Sequence, residues 1–249
     1  YCINRFLKWT KKDIGKISKK DVRLFLEDLS EKGRTGNTMN TYHMAIRFLF
    51  ENVLEKRMWI DIKYSKVPEK IQRALTKEEV KLLINSINNW KHRLMTELMY
   101  SAGLRVSELI NLKVKDLKIN DGYGYVRSGK GNKDRLFILA NVVSGKLNVL
   151  IEKENLEKES FVFQSNRKGA YSVRSLQQMI KNAAKSADLD WKEIHPHTLR
   201  HSFATHLIEN GNSVSDVQTL LGHKNPETTF TYLHNSVGKM INIKSPLDD

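Results

Sequence analysis

At 249 residues, with 40% hydrophobic and 28% charged residues, the chain has the size of one large globular domain or two modest ones. A single cysteine, Cys2, excludes an internal disulfide framework and a cysteine-based zinc site, and no apolar run approaches the roughly 20 residues a membrane-spanning helix needs. The net charge of +14, from 42 Lys+Arg against 28 Asp+Glu, makes nucleic acid the first partner to expect.

The sequence opens on Tyr1 rather than methionine, which reads as a fragment. Residues 1–10 hold no signal-peptide core, and with the lone cysteine this points to the cytoplasm and away from a membrane. Residues 1–70 read as helical. Val22, Phe25, Leu26 and Leu29 recur at helical spacing between Asp21 and Gly33, and a second helix after Thr38 lines up Tyr42, Ala45, Ile46, Leu49, Phe50 and Val53. This stretch carries 16 Lys+Arg against 9 Asp+Glu, a denser positive charge than the remaining chain, where 26 stand against 19. That balance suits a surface holding a phosphate backbone. Val67-Pro68 ends the region.

Thr76-Lys77-Glu78-Glu79 fits a helix-capping box, and Val80, Leu83, Ile84 and Ile87 follow in helical phase. Another helix is expected over about 94–100, stopped by Gly103, and a third from Val106. Residues 114–139 switch to period two. Strands are expected over Val114–Ile119, around Tyr123, Tyr125 and Arg127, and over Arg135–Leu139, with Asn120-Asp121-Gly122 as a hairpin turn. Helices return at about 144–153, 173–187, 198–210, 214–221 and 226–235. The expected layout is a helical module over 1–66, a linker over 67–75 and a mainly α domain over 76–249 with one small antiparallel sheet.

Four places gather polar residues that a core does not need. Arg105 stands between two helices with Glu108 three residues on, so a carboxylate can orient its donors toward an anion or merely form a surface pair. Lys130 and Lys133 lie in a glycine-flanked loop, which allows close approach to a backbone or a plain exposed turn. His197 and Arg200 are three apart at a helix start, where backbone N–H groups favour an anion. His223 follows Gly222 at a helix end, and Tyr232 lies on the next helix among polar neighbours. His197, His201 and His206 have helical spacings that suit zinc, but no HExxH pattern or fitting carboxylate accompanies them, so neither metal nor cofactor is expected. Two arginines and a lysine without metal ligands are the residues that would neutralise a reacting phosphodiester, with a tyrosine hydroxyl as nucleophile.

Those motifs resemble the tyrosine site-specific recombinases, the phage-integrase family, and within it the Xer-like branch. AGLRVSEL is similar to the family's first-arginine box at Arg105, with Glu108 as buttress. GKGNKDR is similar to its hairpin box, placing the catalytic lysine at Lys130. HTLRHSFATHL carries the HxxR pattern at His197 and Arg200, LLGH supplies His223, and the tyrosine box supplies Tyr232. The ending IKSPLDD is similar to tails of archaeal members. The resemblance implies a two-domain C-shaped DNA clamp whose first helix is truncated before Tyr1. It implies nucleophilic attack by Tyr232 on duplex DNA at a specific recombination site, stabilised by Arg105, Arg200 and His223, with Lys130 as proton donor and His197 assisting. It also implies four protomers on two sites, with lower-order or monomeric protein away from DNA. Phosphate contacts are expected from Arg34, Asn37, Thr38, Arg47, Lys133, Arg135 and Arg174. Chromosome-dimer resolution is the first role to expect and integration or excision of a mobile element the second; a DNA-binding protein without catalysis is the rival.

Overall fold

A computed structural model of the chain describes residues 1–56, 73–127, 134–165, 169–222, 245 and 247. The chain divides into two compact units, Tyr1–Ile71 and Gln72–Asp249. The first unit holds helices α1 (Cys2–Thr10), α2 (Lys19–Glu31) and α3 (Gly36–Phe48), the last continued by a π-helical stretch over Leu49–Val53. Their apolar faces meet at Phe6, Val22, Phe25, Leu29, Tyr42, Ile46 and Phe50. Phe25 lies at the centre, with the rings of Phe6, Trp9 and Tyr42 at 5.2, 5.3 and 5.4 Å in tilted or edge-on contact, the geometry that aromatic quadrupoles favour.

The start of α2 is fixed by charge as well as by pattern. The Ser18 hydroxyl accepts from the Asp21 N–H, and the Asp21 carboxylate accepts from the Ser18 N–H at 2.9 Å. Lys12 donates to the same carboxylate at 2.6 Å. The hydrogen bond from Lys12, with those from Ser18, pulls the Asp21 carboxyl from 3.8 down to about 2. A folded-state pKa below the unfolded one contributes stability above about pH 4 that is lost as the pH falls toward 2. Asp21→Ala is therefore expected to cost about 1–2 kcal/mol at pH 7. In urea unfolding of the full chain, the difference from wild type should shrink below pH 4; a pH-independent difference would remove the carboxylate from the account.

The second unit is built around α5 (Trp90–Ala102), whose residues Leu94–Ala102 are all buried. Asn89 caps it by accepting from the His92 N–H, so the helix starts four residues before the apolar run that marks it in the sequence. Packed against it are α4 (Lys77–Asn85), α6 (Val106–Ile110), α7 (Asn141–Lys153) and α9 (Pro196–Glu209), while α8 (Val173–Ser186) packs on α4, α6 and α9, and α10 (Val214–Leu221) on α9. The capping box predicted at Thr76 and Glu79 is present. The one sheet among the described residues is antiparallel, in the order β1 (Leu117–Lys118), β2 (Tyr123–Val126), β3 (Arg135–Ile138). Gly124 pairs with Phe137, and a Cβ at residue 124 would lie 2.3 Å from the Phe137 ring, so only glycine lets that ring cross the strand.

The first expected strand is mostly absent. Residues 114–116 form a 3-10 turn, and pairing is confined to 117–118. The Val114 and Lys115 N–H groups donate to the carbonyls of Ser160 and Lys158, so an extended ladder with β2 has no donors left there. The helix expected over 226–235 falls outside the described residues. Among the described residues no helix is long and apolar enough to cross a membrane.

Candidate active site

Gly103 ends α5 in the left-handed conformation at φ 58, and a Cβ there would lie 2.5 Å from the Phe203 ring. This tight turn places Arg105 at the N-terminus of α6 and Glu108 in its first turn. The Glu108 carboxylate accepts from the Arg105 backbone N–H at 2.8 Å and from the Arg105 guanidinium at 2.6 Å. Arg200, from α9, brings Nη1 to 3.7 Å from Glu108 and donates to the carbonyls of Gly103 and Leu221. Residues far apart in the chain thus converge on one carboxylate.

A third guanidinium completes the group. Arg135 on β3 donates to Glu108 at 2.6 Å and to the Leu220 carbonyl at 2.6 Å. The expectation that Arg135 contacts a DNA phosphate is corrected here: its side chain is only 9% exposed and its donors face inward. It braces Glu108 and the end of α10, and Gly222 beyond that helix leaves it room, since a Cβ there would come within 2.8 Å of Arg135 Cδ.

Three guanidinium groups around one carboxylate give the cluster a net positive charge. Burial pushes the Glu108 carboxyl up, but the Arg135 charge and the hydrogen bonds from Arg105 and Arg135 outweigh it and hold the group below its ordinary value. Burial, then repulsion from Arg135 and Arg105, lowers Arg200 to about 9. It is still protonated at pH 7. A cluster of this kind is a prepared anion site.

His197 occupies the first turn of α9 and is exposed. Partial desolvation, then the groups His195, Arg200 and Arg105, hold its pKa below the ordinary histidine value. His195, two residues earlier, caps the helix by accepting from the Thr198 N–H. His206 serves the packing instead. It is buried, and its Nδ1 lies 2.8 Å from the Tyr100 hydroxyl. Among the described residues no group of three His, Cys, Asp or Glu side chains is arranged to hold a metal.

Lys130, Lys133, His223 and Tyr232 lie outside the described residues. Of the expected phosphate contacts, Arg34 and Asn37 are exposed and Thr38 half-buried at the start of α3. Arg47 is exposed near its end, where it pairs with Glu51 at 2.8 Å. Arg174 is exposed on the first turn of α8.

Residues 73–239 match the phage integrase family, and residues 1–60 match its N-terminal SAM-like domain. The chain belongs to the phage integrase family. It is 36% identical to a tyrosine recombinase of Thermosipho africanus, over 93% of this chain and 85% of that one. It is also 36% identical to tyrosine recombinase XerA of Thermococcus kodakarensis, over 93% and 81% respectively. A crystal structure of XerA recombinase superposes with a TM-score of 0.58 at 28% identity, covering 96% of this chain and 87% of that one. The chain is a tyrosine recombinase of the Xer type, an enzyme that breaks and rejoins DNA strands.

Proposed function

We propose that the chain recombines duplex DNA at a specific site through a covalent 3′-phosphotyrosyl intermediate, and that it does so in chromosome-dimer resolution in the cytoplasm. The observation that carries this reading is the convergence of Arg105 and Arg200 on Glu108 with positive charge in excess. Arg105 and Arg200 take the non-bridging oxygens of the scissile phosphate, with His223 as a further donor. The Tyr232 oxygen forms a bond to phosphorus as the bond to the 5′ oxygen breaks. That oxygen leaves with a proton from Lys130, and His197 accepts the tyrosine proton. A 5′-hydroxyl from a partner duplex reverses the step and joins the exchanged strands. Four protomers act on two sites. Arg34, Asn37, Thr38, Arg47, Lys133 and Arg174 contact the backbone.

Trapping on a nicked suicide substrate tests this. Wild-type protein should accumulate a covalent adduct, and Tyr232→Phe should bind the same DNA without one. An adduct in the variant, mapped to another tyrosine, overturns the assignment. Mixing two marked site-bearing duplexes then separates strand exchange from simple relaxation.

A further expected result concerns metal. Arginine and lysine supply the positive charge this chemistry needs, so cleavage should proceed at an unchanged rate in excess EDTA. Activity lost to EDTA and restored by magnesium or zinc would count against the scheme.

A further inference from the structure

We infer that Lys181, Lys185 and Lys192, gathered around the indole of Trp191, hold the phosphate backbone of the duplex at a second place, apart from the phosphate assigned to Arg105 and Arg200. Helix α8 carries no acidic residue, and Lys181 and Lys185 stand four apart on adjacent turns of one of its faces. Beyond the end of α8 the chain turns at residues 191–193, where Trp191 lies half-buried against the core of the second unit. The Lys181 and Lys185 ammonium groups each lie 4.4 Å from the centre of its ring, and that of Lys192 lies 5.9 Å from it.

The quadrupole of an indole attracts a lysine to its face, but that attraction does not account for three. The ammonium groups lie within about a Debye length of one another, so they repel, and like charges four apart on a helix destabilise it. Carboxylates are close in sequence at Asp188, Asp190 and Glu193, yet among the described residues none of them forms an ion pair with these lysines. The Asp190 carboxylate accepts from the Lys192 backbone N–H at 3.2 Å instead. Elsewhere in the same unit Lys91 and Lys146 each hold a carboxylate, at 2.5 and 2.7 Å. A cluster that repels itself and has no counter-charge of its own suits an anion brought by a partner. For a chain that breaks and rejoins DNA strands, that anion is the phosphate backbone.

The lysines are also placed within reach of the same duplex. Trp191 precedes His197 by six residues, so their Cα atoms lie within about 20 Å of each other. Duplex of that length carries about twelve phosphates. The chain between them is fixed where His195 caps α9 by accepting from the Thr198 N–H, and α8 packs on α9 directly. Arg174, seven residues before Lys181, lies on the same side of α8 and extends the positive strip.

This inference rests on the proposed duplex substrate and not on the chemistry at Tyr232, and the test keeps the two apart. Binding of a site-bearing duplex to the full chain is measured between about 50 and 200 mM salt, where each lost phosphate contact flattens the slope of log K against log salt by about 0.9. Lys181→Ala, Lys185→Ala and Lys192→Ala should each weaken binding and flatten the slope by about that much, and the triple variant by about two to three. Lys153→Ala, which removes an exposed lysine at the end of α7, should leave the slope as it is. A methylphosphonate, which removes the charge of one phosphate, should weaken wild-type binding at a few neighbouring positions and have no effect on the triple variant at those same positions. An unchanged slope in the triple variant overturns the inference and leaves the lysines as cover for the indole, whatever its urea stability. An equal effect in Lys153→Ala also overturns it, by tracing the loss to net charge alone. A flat salt response in the wild-type protein would defeat the duplex reading itself, and this inference with it.

Discussion

Glu108→Ala is expected to destabilise the second unit by about 3–5 kcal/mol at pH 7, the cost of leaving a buried charge without its partner. Arg135 and Arg200 have side chains only 9% and 7% exposed, and Glu108 is the carboxylate that both approach. Without it their mutual repulsion has no compensation and water cannot screen it. Glu108→Gln keeps the shape and one acceptor but not the charge, so it should fall between alanine and wild type. The effect also has a pH signature. Burial favours the neutral acid, but Arg135 and the hydrogen bonds more than offset it and keep the Glu108 carboxyl below its ordinary value. The stability it contributes is complete above the ordinary carboxylate pKa and is lost as the pH falls through the lower folded value. Urea unfolding of the full chain should thus show a gap between wild type and Glu108→Gln that narrows in acid. A loss below about 1 kcal/mol for Glu108→Ala would mean that water reaches the three guanidinium groups and that the cluster is not a buried one.

The same cluster shows what the sequence made legible. Helix periodicity found α2, α3, α4, α7, α8, α9 and α10 because each buries one side only. It found α5 too late, since a helix buried over Leu94–Ala102 has apolar residues on every face, and its true start depends on the Asn89 cap. Val114–Ile119 alternates like a strand, yet its first residues donate their N–H groups to 158–160, a partner more than 40 residues downstream that no local pattern reveals. Arg105, Glu108, His197 and Arg200 were visible because their chemistry has no use in a core. Arg135 was misplaced for the converse reason. Charge predicts exposure in most settings, and only a long-range partner such as Glu108 makes a buried arginine tolerable.

Arg200→Ala is expected to slow cleavage and ligation alike by about 10²–10³-fold, equivalent to about 2.7–4 kcal/mol of transition-state stabilisation. Symmetry is the informative part. A group that holds the non-bridging oxygens faces the same charge in both directions, whereas a proton donor acts on one leaving oxygen. The surroundings of Arg200 support that proposed role. Its Nη1 and Nη2 donate to the Gly103 and Leu221 carbonyls, which fixes the plane of the fork before any substrate arrives. It sits in a net positive cluster, where burial together with Arg135 and Arg105 lowers it to about 9. In the proposed mechanism a phosphate oxygen is the counter-charge that relieves this, so the arginine would gain most as negative charge builds up on phosphorus. Lysine should not substitute, because a single ammonium cannot bridge two carbonyls and present a planar fork to a third acceptor. Arg200→Lys is therefore expected to lie close to Arg200→Ala, and neither should regain wild-type rates on DNA with a 5′-bridging phosphorothiolate, whose thiolate leaves without the proton that Lys130 is proposed to give. If Arg200→Ala slowed cleavage but left ligation intact, or if the sulfur substrate rescued it as fully as Lys130→Ala, the oxyanion role would have to pass to Arg105 and Arg200 would be a scaffold for the Gly103 turn.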